Sequence, residues 1–458
     1  MTTTADRSKF LGDFHNAVDE FIDNSYTRVL IISHNDADGL SSLHIIQNLL
    51  YKLNIDYDYF IYNRSVSWEN FLAGILSKRQ SVKTAFIFTD LGSNLAELIP
   101  IINARKEHFY ILDHHEIDAN FTFDEMPENL FFVNPTIHGF DGLEHISGST
   151  LAYMFAKQIK PSVIKQGWLA ILGIAGDSLK SMDKLQSFNR EIYEELQNEE
   201  LIEDKKGLTL FGSMHENIKN GLKYSILPFI IGFGGEPDQH ITSFLNSIKI
   251  DPKSKVISLT ANEIKTIQQK ANIDCYGHYA LLPQKSGLLK HAFEHALLLN
   301  ILCFKNISAA ISIIQLKKIT RYAKDIYFDY ISNLAVNLKT LSNETPTYET
   351  GKAIFMEVGG KIPPSNWSDT ASFSAVNHLF NTSKILFLGG LEIKSGTFKL
   401  SIRCSREYIQ EKGNGVNTII SAIKKELGGV GGGHKLAGGI RLSKPSYERL
   451  KTLVDAFI

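Results

Sequence analysis

Apolar positions in the first third of the chain fall into short unbroken runs separated by longer stretches of helical spacing. "VLII" (29–32), "AFIF" (85–88), "FYIL" (109–112) and "FFV" (131–133) are rich in β-branched and aromatic residues. Unbroken runs of this kind mark strands covered on both faces, whereas a strand with one wet face alternates. Residues 41–53 and 68–76 instead repeat their apolar positions every three or four residues, which predicts helices. The order is strand, helix, strand, so a parallel sheet flanked by helices is expected. After residue 133 an Asn-Pro turn leads to "HISGSTLAYMFAKQI", a helix with Ser147 or Ser149 as its cap.

Beyond residue 181 the pattern changes. "SFNREIYEELQNEELIEDKK" predicts a charged helix ending in an acidic run at 199–204, and residues 292–302 and 322–341 predict further helices. "LSNETPTYET" (341–350) has the composition of a linker. Residues 353–357, 385–388 and 397–402 are expected strands, and the chain closes with glycine-rich "GGVGGGHKLAGGIRL". The organisation expected is α/β throughout: a parallel-sheet domain over 1–195, a mostly helical connector over 196–340, and a smaller α/β domain over 341–458.

At 458 residues, 43% hydrophobic and 21% charged, the chain is long enough for two or three cores. Cys275, Cys303 and Cys404 have no paired spacing, which argues against a disulfide framework or a thiolate zinc site and for a reducing, cytoplasmic setting. "MTTTADRSKF" lacks a basic segment followed by an apolar core, and no run is long enough to cross a bilayer, so neither a secreted nor a membrane protein is expected. The net charge of −1 hides an asymmetry: residues 351–458 carry 15 Lys/Arg against 8 Asp/Glu, and the remainder 33 against 41. A basic C-terminal part suits phosphate ligands.

Chemistry collects where the early strands end. His34, Asp36 and Asp38 follow the first, Asp90 the second, and Asp113, His114 and His115 the third. In a parallel sheet these ends share the edge where open α/β folds bind ligands. Asp177 is a further candidate, because its segment "GWLAILGIAGDSLK" is otherwise apolar and a buried carboxylate needs a partner. Taken alone, Asp38 is an ordinary cap for a helix starting near residue 41. Together, several carboxylates on one edge repel one another, and a bound cation is the usual relief. Carboxylates mixed with imidazoles favour manganese, with magnesium as the alternative and zinc less suited without thiolates. The ligands are too many for one ion and suit two ions sharing a carboxylate, an arrangement that serves in-line displacement at phosphorus.

These residues resemble the motifs of the DHH phosphoesterase superfamily: "SHNDADGLSS", "FTDLGSN", "LDHHEID" and "GIAGDSL" in order, with "FKLSIRCS" and "GGVGGGHKLAGG" similar to the signatures of the DHH-associated C-terminal domain. The helical middle is similar to archaeal-type RecJ-like nucleases, including those associated with the GINS complex. The resemblance implies metal ligation by Asp36, Asp38, Asp90, His114 and Asp177, with Asp90 bridging. His34 stands only two residues before Asp36, closer than in the superfamily's pyrophosphatases and oligoribonucleases, and is expected as a further ligand or a group behind the ligands. Asp113 would orient the histidines and His115 would face the scissile phosphate, making His115, Asp113 and Asp90 the catalytic set. Gly431, Gly432, Gly433 and His434 would hold a phosphate, as would Arg403 and Ser405, with His378 and Lys435 as lesser candidates. Phe304-Lys305 stands where nuclease-type relatives often carry an arginine. The activity implied is manganese-dependent exonucleolytic hydrolysis of single-stranded DNA or RNA to mononucleotides, in a cleft between the N- and C-terminal domains. The alternatives are a phosphodiesterase for short oligonucleotides or cyclic dinucleotides, and a replisome component binding the GINS and helicase complex.

Overall fold

The computed structural model describes residues 5–62, 66–76, 83–117, 121–123, 126–178, 182–316 and 318–458. Leu179 and Asp118, the last residues of two of the motifs, lie outside these ranges, as do residues 1–4. The chain forms two compact units, residues 1–207 with 276–327, and residues 208–275 with 328–458. The stretch expected as a connector is thus shared between the two.

The first unit is built on five strands, β1 (Arg28–Ser33), β2 (Asp56–Ile61), β3 (Thr84–Thr89), β4 (His108–Leu112) and β5 (Leu130–Val133). They lie in the order β2-β1-β3-β4-β5, all parallel. The order reverses between β1 and β3, which places a crevice between their C-terminal ends. Register aligns Ser33 with Thr89, Thr89 with Leu112, and Leu112 with Val133, so the residues that follow form one row along the sheet edge.

Helices cover both faces. Leu30, Ile32, Phe86, Phe88, Phe109 and Ile111 pack against Trp68 and Leu72 of α3 (Trp68–Leu76) and Leu95 and Leu98 of α4 (Leu95–Asn103). Elsewhere α1 (Arg7–Asp23) packs on β5, and α2 (Ala37–Leu53) packs on α5 (Gly148–Ile159) and α6 (Trp168–Ser178). The unbroken apolar runs are explained by this double covering. The sequence pattern missed β2 because "DYDYFI" has no apolar run: its first four residues are exposed on the sheet border, where charge discourages pairing with another chain. Ser147, of the two serines considered, caps α5 by accepting from Thr150 N–H.

Helix α7 (Ser187–Asn198) stops before the acidic run, whose last residues open β6 (Glu203–Leu208), paired with β7 (Tyr276–Leu281). Asp204 is held there by Tyr193 Oη at 2.6 Å and His278 Nδ1 at 2.7 Å, so the helix end and turn expected of this run lead into a strand. The helix Ala292–Lys305 packs against α6.

The second unit carries a six-stranded sheet ordered β12-β13-β11-β10-β9-β8, from β8 (Tyr348–Glu349), β9 (Ala353–Glu357), β10 (Ile385–Glu392), β11 (Thr397–Arg403), β12 (Val430–Gly433) and β13 (Ala437–Leu442). Only β9 and β10 are parallel neighbours. One face buries Phe398, Leu400, Ile402 and Ile440 against the helices Val416–Leu427 and Lys444–Phe457. The last of these helices was not foreseen beyond the glycine-rich close. Residues 208–275 add a small apolar cluster around Ile218, Leu222, Ile241 and Leu245. No helix among the described residues is long and apolar enough to cross a membrane.

Candidate metal centre and phosphate groove

The row at the sheet edge is His34, Asp90, Asp113 and Asn134, each following directly on its strand. The ladder carries on past the strand ends to the first three. His34 N–H donates to Thr89 O at 3.4 Å, Asp90 N–H to Leu112 O at 2.9 Å, and Asp113 N–H to Val133 O at 3.2 Å. Asp90 then turns sharply with φ +59°, a left-handed backbone that non-glycine residues adopt reluctantly and that recurs at functional sites. Gly148 makes room for it, since a Cβ there would lie 2.6 Å from Asp90 Cβ.

Asp36 and Asp38 divide the roles that the sequence left open. Helix α2 starts at Ala37, four residues earlier than its apolar spacing suggested, and Asp36 rather than Asp38 is its cap, accepting from Gly39 N–H at 2.8 Å. Asp38 is buried in the first turn and receives Gly148 N–H at 2.7 Å and Ser149 N–H at 2.9 Å, the free donors at the start of α5. Asp177 enters from the end of α6.

Two groups of candidate ligand atoms result, one of His34, Asp90 and His115, the other of Asp38, His114 and Asp177. Asp90 touches both: its Oδ2 is 3.4 Å from His34 Nδ1 and its Oδ1 is 3.0 Å from His114 Nε2. His114 Nε2 is also 3.7 Å from Asp38 Oδ2 and 3.5 Å from Asp177 Oδ2. His34 Nδ1 is 2.5 Å from Asp36 Oδ2, which brings Asp36 to the first group. Every carboxylate and imidazole singled out at this edge is therefore gathered in one place.

Behind them, His114 Nδ1 donates to Gly142 O at 2.6 Å, which turns Nε2 toward the carboxylates. His115 Nδ1 donates to Asp113 Oδ1 at 2.7 Å, and Asp113 Oδ2 accepts from Ser93 N–H at 2.8 Å and Ser93 Oγ at 2.6 Å. Asn134 donates to Ser93 Oγ and His115 O, both at 2.9 Å. Ser93 and Asn134 were not singled out from sequence, although both directly follow strands or their turns.

The electrostatics suit a bound cation. Burial opposes charge on His34 and His114, yet their carboxylate neighbours outweigh it and hold both imidazoles well above the usual histidine range. Burial, reinforced by Asp90 and Asp177, pushes Asp38 far up, and burial lifts Asp177 to about 6. Asp90 goes the other way, since the neighbouring His114 and His34 imidazoles outweigh its own burial. Asp90 Oδ2 and Asp177 Oδ2 are buried and make no hydrogen bond among the described residues. Buried carboxylate oxygens without donors fit coordination to a metal.

The C-terminal candidates lie on the second unit. Pairing places Ser401, Gly439 and Gly432 in one row across β11, β13 and β12, on the face opposite the apolar core. This face floors a groove of about 440 Å³ that Lys399, Arg441, Gly431, Gly433 and His434 also line. The glycine run is therefore a border strand and not a flexible loop. Gly431 and Gly433 lack room for a Cβ, whereas at Gly432 the space is open.

Arg403 borders the groove but its guanidinium is committed: Nε donates to Ser372 Oγ, Nη1 to Ile402 O and Gly438 O, and Nη2 to Ser368 O and Oγ. The two-pronged phosphate contact expected of it meets a group that already ties two strands to the helix Trp367–Val376. Ser405 is similarly engaged, capping the helix Arg406–Lys412 and donating to Thr382 O at 2.9 Å. His378 and Lys435 do not line the groove.

Residues 28–175 match the family described as the DHH family, N-terminal domain. Over 454 residues the chain is 26% identical to an uncharacterized protein of Methanocaldococcus jannaschii, with 96% of each covered. Its fold is similar to that of CDC45 from Entamoeba histolytica, with a TM-score of 0.67 at 11% identity over 98% of both chains. It is also similar to RecJ in complex with Mn2+ from Thermus thermophilus, with a TM-score of 0.51 at 15% identity over all of this chain and 55% of that one. An exonuclease RecJ bound to manganese gives 0.50 at 16% identity, covering 100% of this chain and 95% of that one. The parallel sheet and the acidic row at its edge lie within residues 28–175, the part of the chain that is similar to the DHH family, N-terminal domain.

Proposed function

We propose that the protein is a two-metal phosphodiesterase, manganese-dependent with magnesium as the alternative ion, acting as a RecJ-like exonuclease on single-stranded DNA or RNA. The observation that carries this reading is Asp90, whose two buried oxygens face separate groups of candidate ligands. His34, Asp36 and Asp90 would hold one ion, and Asp38, Asp90, His114 and Asp177 the other. Such a pair supplies an activated water and neutralises charge on a phosphodiester undergoing in-line displacement. Asp113 fixes His115 through Nδ1, which leaves Nε2 of this half-buried ring to donate to the substrate phosphate or to carry a proton. On the second unit, Gly431, Gly432, Gly433 and His434, with Lys399 and Arg441 beside them, offer a groove for the sugar-phosphate chain. Arg403 supports that groove by bracing its strands, and Ser405 by capping a neighbouring helix.

The deciding experiment is digestion of end-labelled DNA and RNA strands of graded length with manganese, using the native chain and Asp90→Ala. Release of mononucleotides from one end of a long strand by the native chain, and none by Asp90→Ala, is the expected result. Full activity in Asp90→Ala would overturn the two-metal assignment. Preference for dinucleotides or cyclic dinucleotides would assign the short-substrate alternative. Absence of hydrolysis with retention by GINS or the replicative helicase would assign the replisome role.

A further inference from the structure

Asn300 lies on the helix Ala292–Lys305, more than a hundred residues after Asp177, and is not among the ligand candidates. Its side chain bonds to two of the segments that carry them. Oδ1 accepts from Ala37 N–H at 2.7 Å, and Nδ2 donates to Gly176 O at 3.2 Å. Ala37 stands between Asp36 and Asp38, and Gly176 directly precedes Asp177.

The two contacts are complementary and specific to an amide. Ala37 N–H is the first donor of α2 and has no partner inside its own helix, while Asp36, the cap, is spent on Gly39. Gly176 O can only accept, so only one orientation of the Asn300 amide satisfies both neighbours. The same helix makes a second contact one turn on, where Cys303 O accepts from Asn35 Nδ2 at 3.2 Å. The segments are in close approach: a Cβ at Gly176 would lie 2.8 Å from Ala37 Cβ. A leucine at position 300 would serve packing alone, but it would leave Ala37 N–H and Gly176 O without these partners.

We propose that Asn300 is a positioning residue of the metal centre, setting the distance between the Asp36–Asp38 loop and Asp177 and through it the affinity for the second ion. The inference rests on the two-metal reading above. Among the described residues the hydrogen bonds of the Asn300 amide go to backbone groups and not to ligand atoms, so its effect passes through the backbone of the residues it holds.

The test is calorimetric titration of the full chain with manganese chloride, read independently of hydrolysis. The native chain is expected to take up two ions. Asn300→Ala is expected to weaken uptake about ten-fold, the lower end of the loss found when groups behind metal ligands are removed. Asn300→Asp keeps an acceptor for Ala37 N–H but sets an oxygen against Gly176 O, so it should leave the first ion at native affinity and the second weak. Native affinity for both ions in Asn300→Ala overturns the proposal. If that variant fails to fold, Asn300→Asp decides: one weakened ion supports the role, and two native ones overturn it. A native chain that binds no manganese fails at the two-metal reading itself and takes this inference with it, an outcome distinct from failure of the variants alone.

Discussion

Single residues at the metal edge answer to atoms far away in sequence. Asp38 is the example: it would be an ordinary first-turn carboxylate if α5 did not point two N–H groups at it, and it would have no room if residue 173 carried a side chain. A Cβ at Gly173 would sit 2.2 Å from Asp38 Oδ1 and 2.1 Å from Ser149 Oγ. Gly173 lies inside α6, where replacement by alanine ordinarily gains about 1 kcal/mol of helix propensity. The clash opposes that gain, because overpacking a closed site costs about 1–3 kcal/mol. Gly173→Ala is therefore expected to lower the melting temperature of the metal-free protein and to weaken manganese uptake. A variant that melts higher than the native chain and binds manganese equally well would show that the packing argument is wrong.

Among the elements, the helix Ala292–Lys305 carries the most that sequence left unexplained. Besides Asn300 it holds His295, fully buried, with its pKa pushed down to about 3 by burial and then by Lys285. The sign of the consequence follows from proton counting. Unfolded, this histidine takes up a proton near its ordinary 6.5, whereas folded it stays neutral until about 3, so the unfolded state binds more protons throughout that interval. Its contribution is thus harmless above pH 6.5 and destabilises the fold increasingly as pH falls toward 3. His295→Leu should flatten the acid side of the stability profile by up to about 1.4 kcal/mol per pH unit. Parallel denaturant titrations of both proteins at several pH values measure this. Equal slopes would mean that His295 takes up its proton in the folded protein as readily as in the unfolded one.

At the scale of the whole molecule, the metal edge and the glycine-lined groove sit on different units, and their contributions should separate under mutation. A Cβ at Gly432 would meet open space on the groove side of β12, so leucine there projects into the groove and narrows it. Gly432→Leu is expected to fold as well as the native chain, because a glycine inside a strand weakens it. It should raise KM for a single-stranded oligonucleotide about ten-fold, the effect of losing about 1.4 kcal/mol of binding. Hydrolysis of bis(para-nitrophenyl) phosphate, too small to need a groove, should be unchanged. An equal loss on both substrates would argue against separate roles for the two units.

Much of this arrangement was legible beforehand. Runs such as residues 85–88 and 109–112 identify strands buried on both faces, and parallel strands must deliver the residues that follow them to one edge. His34, Asp36, Asp38, Asp90, His114 and His115 are therefore readable as a cluster from chain order alone. Sequence did not show that Asp36 takes the cap while Asp38 turns inward, that Arg403 is consumed as a brace, or that Gly148, Gly173 and Asn300 shape the site. These depend on contacts between residues as much as 263 positions apart, which local periodicity does not encode. Chain order and apolar patterning settle which groups reach the edge, because strand direction and burial are local properties. The spacing of those groups and their partners emerge only in three dimensions, because the distances are set by how helices from distant parts of the chain pack behind the sheet.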